Sequence, residues 1–138
     1  MEELARIQLS PFQEVDGVHL TTSGADVLVN STAAEQIGLC LHQLGTNAAK
    51  YGALSVPTGA VTIEWRVDTN GDHEQCFRLT WRERGGPAVT KPTRTGFGNL
   101  VTQRIVPETL HGKASLEFAP EGMTWNLVCP VAEVVSVY

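Results

Sequence analysis

The chain has 138 residues, with 10 Lys and Arg against 15 Asp and Glu, so its formal net charge is −5. Apolar residues make up 42% and charged residues 18%, which predicts one globular domain over residues 1–138 and argues against intrinsic disorder. The acidic balance and the lack of a basic run argue against a nucleic-acid partner. No stretch approaches ~18 consecutive apolar residues, so we expect no membrane contact.

The cysteines, Cys40, Cys76 and Cys129, lie far apart in the sequence and are odd in number. A disulfide framework needs pairs, and a zinc site needs close spacing such as C-x-x-C. We therefore expect buried thiols in a reducing compartment. The first residues also lack the basic and apolar regions of a signal peptide, so a cytoplasmic location is predicted.

Short strands are predicted in the first thirty residues, over residues 5–9, 18–20 and 26–29. The next element is a long helix, because residues 32–51 contain no Pro and carry small and apolar residues at helical spacing. Asn30 or Ser31 is suited to cap its start, and Gly52 is suited to end it.

The middle of the chain predicts a hairpin followed by a loop. Alternating apolar and polar residues predict strands here and again near the end of the chain, over residues 61–67, 76–81, 114–118 and 123–128. Asn70-Gly71 predicts a tight turn between the first two of these strands. Residues 85–95 hold two Gly and two Pro and are predicted to form a loop.

A second helix is predicted to begin near Gly98, to be kinked or restarted by Pro107, and to end at Gly112. Its apolar residues are Leu100, Val101, Ile105 and Leu110. An edge strand is one interpretation of the apolar tail, residues 131–138. This order of elements predicts an α+β sandwich with one mixed sheet and its helices on one face.

One face of the long helix is polar. Gln43, Asn47 and Lys50 stand at i, i+4 and i+7 and therefore share that face, while the opposite face carries apolar residues, namely Ile37, Leu41, Leu44 and Ala48. An amide oxygen is a suitable ligand for Mg²⁺, and a Lys ammonium is a suitable charge for phosphate. The alternative is an ordinary solvated face.

Two further motifs follow. Trp81-Arg-Glu-Arg-Gly-Gly-Pro87 ends a predicted strand, where the Glu83 carboxylate could accept a hydrogen bond from an exocyclic amine and the two glycines could admit a flat ring. The alternative is a polar turn after a hairpin. Gly96-Phe-Gly-Asn99 precedes a helix and could bind an anion. It does not fit a dinucleotide fingerprint, because the third glycine is replaced by Val101.

Together these motifs resemble the GHKL ATPase superfamily, and within it the HWE family of sensor histidine kinases. The family's His and its Trp-x-Glu are matched by His42, inside the segment that runs from Leu41 to Leu54, and by Trp81-Arg-Glu83. Gly96-Phe-Gly98 matches the family's second glycine motif. Leu110-His-Gly112 matches its usual Leu-Gly-Gly with one change. The resemblance covers approximately residues 18–130.

The resemblance implies a Bergerat-type fold that binds ATP and Mg²⁺. Asn47 would bind the Mg²⁺ that bridges the phosphates, Lys50 would contact the phosphates, and Glu83 would recognise the adenine amino group. The other matching positions would shape the pocket, border the adenine or line the phosphates: Tyr51, Gly85, Gly86, Gly96, Phe97 and Gly98. Residues 87–95 would be the ATP lid. Lys91 and Arg94 within it are interpreted as phosphate contacts from their charge and position alone.

Two positions of the polar helix have open roles. His42 could orient the phosphates or a neighbouring side chain, or simply pack on the helix surface; in the family it is not the phosphate acceptor. Gln43 stands where the family usually has Glu. Because Gln cannot accept a proton at neutral pH, we expect nucleotide binding to persist and the rate of phosphoryl transfer to be affected.

The predicted function is that of the catalytic, ATP-binding domain of a sensor histidine kinase. It would transfer the ATP γ-phosphoryl group to a His of the kinase's own dimerisation hairpin, for relay to a response-regulator receiver domain. The acceptor hairpin and the sensor domain are not recognisable here, so the sequence is interpreted as a fragment. One alternative is a nucleotide-gated binding module without transfer. Another is a GHKL-type ATPase or serine kinase.

Overall fold

The computed structural model describes residues 1–12, 19–69, 74–87 and 100–136. The helices are α1 (Glu2–Leu9), α2 (Ser31–Lys50), α3 (Val106–Thr109) and α4 (Val131–Val134). The strands are β1 (Leu20–Gly24), β2 (Ala60–Thr69), β3 (Gln75–Arg84), β4 (Lys113–Ala119) and β5 (Gly122–Pro130). A 3₁₀ turn, Ala53–Ser55, follows α2, and a π-helical stretch, Val101–Ile105, runs into α3.

The strands form one mixed sheet in the order β1-β2-β3-β5-β4. β1 and β2 are parallel, since the chain returns to the same end of the sheet through α2, and the other pairs are antiparallel. The predicted hairpins correspond to β2–β3 and β4–β5. The turn predicted at Asn70-Gly71 lies outside the described residues.

The sheet is apolar on one face and polar on the other. Residues of β2, β3 and β5 alternate between the two faces, as a strand requires. The buried members include Ile63, Trp65, Leu79, Trp81, Trp125 and Leu127. The helices cover this apolar face, so the predicted α+β sandwich with helices on one face is confirmed. Among the described residues, no helix is both long and apolar enough to span a membrane.

Helix α2 forms as predicted. The Asn30 side chain accepts a hydrogen bond from the Ala33 amide at 2.8 Å, which caps the helix. Its apolar stripe is buried on the sheet side: Ile37, Leu41, Leu44 and Ala48. The helix ends at Lys50, and the Gly52 amide donates to the Asn47 and Ala48 carbonyls.

The prediction of a strand over residues 5–9 is wrong, because this segment belongs to α1. Its buried residues are Ala5 and Leu9, which is the i, i+4 spacing of a helix. α1 packs against α2 at two glycines. A Cβ at Gly38 would lie 3.1 Å from the Gln8 side chain, and one at Gly45 would lie 2.6 Å from the Phe12 ring. A window of five residues does not distinguish the two periodicities, and this packing decides in favour of the helix.

Two other strand predictions are also wrong. Residues 26–29 form no strand, and Val29 makes only an isolated bridge to Val135. The tail is not an edge strand over its described part, since Val131–Val134 is the short helix α4, whose Val134 is buried. Of the strand predicted over 18–20, Leu20 begins β1 and residue 18 lies outside the described residues.

The second helix is divided: its described part consists of the π-helical stretch and α3, and its predicted beginning near Gly98 lies outside the described residues. Pro107 lies in the first turn of α3, directly after the π-helical stretch. The preceding π-helical stretch takes the place of the predicted kink. Val101 and Leu110 are buried, whereas Leu100 and Ile105 are largely exposed.

Candidate functional site

The end of α2 meets the end of β3 at a buried carboxylate. Glu83 is only 6% exposed. Its Oε1 accepts a hydrogen bond from the Ala53 amide, and its Oε2 accepts one from the Trp81 indole Nε1, both at 2.9 Å. Each oxygen therefore has one protein donor, which offsets the cost of burying the charge.

The spacing of Trp81 and Glu83 explains this contact. Residues two apart on a strand point to the same face, and both side chains lie on the apolar face of β3. Glu83 is one of two buried polar residues, with Thr102, in the part of the chain that the structure describes. A buried carboxylate on an otherwise apolar face makes Glu83 a candidate functional residue.

Glycines allow the chain to approach this carboxylate closely. A Cβ at Gly52 would lie 2.2 Å from Glu83 Oε1, and one at Gly86 would lie 2.8 Å from the Ala53 Cα. Gly85 has a left-handed φ of 72°, and its carbonyl accepts a hydrogen bond from Thr58 Oγ1 at 2.7 Å. These positions therefore need glycine for the fit of the turn after α2 against the end of β3.

The residues of the polar face of α2 differ in exposure. Gln43 and Asn47 are partly buried, whereas Lys50 is exposed and Tyr51 is 76% exposed. The Asn47 carbonyl accepts the Tyr51 and Gly52 amides at 2.8 and 3.1 Å. The Asn47 backbone is thus hydrogen-bonded to the turn whose Ala53 amide contacts Glu83.

His42 lies elsewhere on the helix. Its exposed side chain packs against Phe12, with ring centroids 5.4 Å apart and an interplanar angle of 55°. At 3.6 residues per turn it is about 140° around the helix from Asn47. The structure therefore places His42 on the α1 side of α2 and not beside Asn47.

The third motif lies outside the described residues. This applies to Lys91, Arg94, Gly96, Phe97 and Gly98, and to all of the predicted lid except Pro87. Their roles stay predictions.

Sequence reasoning missed three features around Glu83: the Trp81 indole donor, the Ala53 amide donor and the close approach of Gly52 to the carboxylate. The Trp-x-Glu spacing contained a signal for the first, because it is the strand period. The other two depend on how the turn after α2 folds over the end of β3, and no local pattern encodes that placement.

The partly buried Asn47 side chain can offer one amide oxygen to a hard cation. No group of three or more His, Cys, Asp or Glu side chains within the described ranges is arranged to hold a metal. One amide oxygen is a typical protein contribution when Mg²⁺ keeps its waters and takes its remaining ligands from phosphates. Asn47 is therefore a candidate ligand for a Mg²⁺ ion that a nucleotide brings with it.

The sequence is similar to bacterial histidine kinases. It is 35% identical over 131 residues to the blue-light-activated histidine kinase of Brucella anthropi, covering 95% of this chain and 26% of that protein. The corresponding protein of Brucella ovis is 31% identical over 135 residues, covering 98% and 27%. The chain thus spans about a quarter of the length of these relatives. No protein-family model matches it.

Solved structures share the fold. The blue-light-activated histidine kinase EL346 of Erythrobacter litoralis superposes with a TM-score of 0.69 at 15% identity, covering 96% of this chain and 41% of that one. The catalytic domain of histidine kinase ThkA gives 0.63 at 19% identity, covering 94% and 92%. Three observations agree. The chain shares its fold with an isolated catalytic domain, its sequence matches about a quarter of the length of each kinase, and it carries the Trp-x-Glu carboxylate. The resemblance to the catalytic domain of HWE-type histidine kinases is confirmed, since nearly the whole chain is similar to part of these kinases and has the fold of a histidine kinase catalytic domain.

Proposed function

We propose that this domain binds ATP and transfers its γ-phosphoryl group to a histidine outside the described fold. The observation that carries the proposal is the Glu83 carboxylate, buried and held by two donors where α2 and β3 end. An ionised carboxylate accepts hydrogen bonds only, and each oxygen keeps a free lone pair. It is therefore suited to an exocyclic amine such as that of adenine.

The polar face of α2 would bind the other end of the nucleotide. Asn47 would contribute a ligand to Mg²⁺, and the exposed Lys50 ammonium would neutralise phosphate charge. Tyr51 would cover the pocket between them, and Gly85 and Gly86 would border the base. When bound, Mg²⁺ neutralises charge on the phosphate oxygens.

The transfer itself depends on positioning and charge. The acceptor imidazole is the nucleophile, so Gln43 need only hydrogen-bond and is not required to take a proton. His42 would act on the α1 side rather than on the phosphates. Of the residues outside the described ranges, Lys91 and Arg94 would contact phosphate and Gly96, Phe97 and Gly98 would line it.

The proposal includes a larger protein and its partners. The curated relatives are about four times as long as this chain, so a separate hairpin with the acceptor histidine is proposed to complete the kinase. A response-regulator receiver domain would take the phosphoryl group next. A cytoplasmic location fits the three cysteines, none of which forms a disulfide.

Titration calorimetry with a non-hydrolysable ATP analogue tests the binding step. We expect binding that tightens with Mg²⁺ and that Asn47→Ala loses the Mg²⁺-dependent part, because a metal ligand is removed. Asn126→Ala is the matched control. Its Oδ1 accepts a hydrogen bond from Thr80 on the polar face of the sheet, away from the site, so its affinity should equal that of the wild type.

The transfer step is tested separately with labelled ATP and a histidine hairpin from one of the Brucella relatives. Labelled hairpin supports the kinase assignment. Nucleotide binding without any transfer, even after Gln43→Glu, would overturn transfer and indicate a nucleotide-gated module. Absence of binding in the wild type would overturn the ATP proposal as a whole.

A further inference from the structure

We propose that Trp81 is a positioning residue, whose indole N–H sets the base specificity of the site by fixing the orientation of the Glu83 carboxylate. This inference rests on the proposed function, because it assigns the basis of adenine selectivity. Trp81 itself is fully buried beneath the site and acts only through Glu83.

The first step is the geometry of the carboxylate. The terminal torsion of a Glu side chain is broad and two-fold, so geometry alone does not fix the plane of its carboxylate. The Ala53 amide holds Oε1 and the Trp81 indole holds Oε2. With one donor the carboxylate could pivot about that contact, whereas two donors from different elements fix its plane.

The second step is what a fixed carboxylate presents to a base. Its remaining lone pairs point in set directions and accept hydrogen bonds only. An adenine amino group placed there donates to it. A guanine carbonyl in the same place would set its lone pairs against those of the carboxylate, so both buried groups would lack a hydrogen-bond partner. Unpaired buried polar groups discriminate strongly between two ligands. A carboxylate that pivots would lose part of this discrimination.

The positioning role of the Trp81 N–H must be distinguished from the packing role of its ring. Trp81 fills the core beside its cross-strand partner Trp125, so removal of the whole ring would destabilise the fold. Trp81→Phe keeps most of the ring and removes the donor. Trp65→Phe is the matched control, since Trp65 is also buried and its Nε1 donates to the Ala25 carbonyl at 2.7 Å, at the β1 end of the sheet. Each variant replaces an indole by a smaller phenyl ring and loses one hydrogen bond.

The first experiment compares the affinities for non-hydrolysable ATP and GTP analogues by calorimetry. We expect Trp81→Phe to lower the ATP-to-GTP affinity ratio about ten-fold, as the loss of one charge-assisted hydrogen bond would. Trp65→Phe should keep the wild-type ratio, even if both variants are equally destabilised. A wild-type ratio in Trp81→Phe would overturn the proposal, and so would an equal fall in both variants.

A second measurement needs no nucleotide. The indole N–H resonance of Trp81, identified by its loss in Trp81→Phe, should move in the nitrogen-proton NMR spectrum of Glu83→Ala, while that of Trp65 should stay in place. An unmoved Trp81 resonance would overturn the positioning contact. If the resonance moves but the wild type binds neither nucleotide, the contact stands, and the proposed function and the base specificity fail together.

Discussion

His111 stands where the Leu-Gly-Gly motif of the resembling family has its first glycine. It has a left-handed φ of 53° directly after α3. The amides of His111 and Gly112 donate to the Glu108 and Pro107 carbonyls at 3.2 and 2.8 Å, the paired capping arrangement that commonly holds glycine at the first of these positions. The usual Leu-Gly-Gly therefore meets a backbone requirement, and His111 meets it with strain.

We expect His111→Gly to raise the free energy of unfolding by about 0.5–1 kcal/mol, because glycine takes this conformation without the Cβ clash. Urea denaturation measures the change. The His111 side chain also lies 3.2 Å from Glu133 Oε1, but exposed pairs contribute little. Glu133→Gln removes the pair alone and should change stability by less than about 0.5 kcal/mol. A glycine variant less stable than wild type would contradict the expectation.

At the scale of elements, the turn from α2 to the 3₁₀ segment connects two parts of the site. It positions the Ala53 amide on Glu83 and leaves no space for a side chain at Gly52. The end of a helix and the end of a strand thus share one carboxylate. This junction brings into contact two segments, the turn after α2 and the end of β3, that lie about thirty residues apart in sequence.

We expect Gly52→Ala to displace the Glu83 carboxylate and to weaken ATP-analogue binding at least ten-fold, since its Cβ would lie 2.2 Å from Oε1. Calorimetry measures the affinity, and circular dichroism confirms the fold. Gly38→Ala, within α2, is the control, because its Cβ would meet only the flexible Gln8 side chain at 3.1 Å. Unchanged affinity in Gly52→Ala would show that Glu83 is not needed for binding.

Across the whole molecule, the three thiols differ in their surroundings. Burial raises the pKa of Cys40 to about 12. Burial, with smaller contributions from Cys76 and Glu133, likewise raises the pKa of Cys129 to about 12. Both pKa values are above the ordinary value, so these thiols stay protonated and unreactive at neutral pH. Cys76, on β3, is only partly buried.

We therefore expect one thiol to react quickly with Ellman's reagent at pH 8 and all three to react after denaturation. Cys76→Ser should abolish the fast phase while leaving two thiols in the denatured protein. Fast reaction of two or three thiols in the native protein would show that the core opens on the timescale of the assay.

The sequence anticipated those parts of the molecule that are long or periodic. α2 and the strands β2 to β5 were predictable because each repeats its pattern over several turns or residue pairs. α1 and α4 were not, since segments of eight and four residues take their conformation from what they pack against. Asn47 and Glu83 were identifiable from motifs, whereas the donors that hold Glu83 depend on tertiary packing.

The Ala53 amide has a consequence for kinetics as well as for structure. It lies just outside α2, and its hydrogen-bond acceptor is the Glu83 side chain rather than a helix carbonyl. Its exchange with deuterated solvent therefore requires the carboxylate to move away. The exchange rate of the Ala53 amide therefore reports how often the Glu83 carboxylate moves away. The amides of Tyr51 and Gly52, whose partners are backbone carbonyls, provide the comparison.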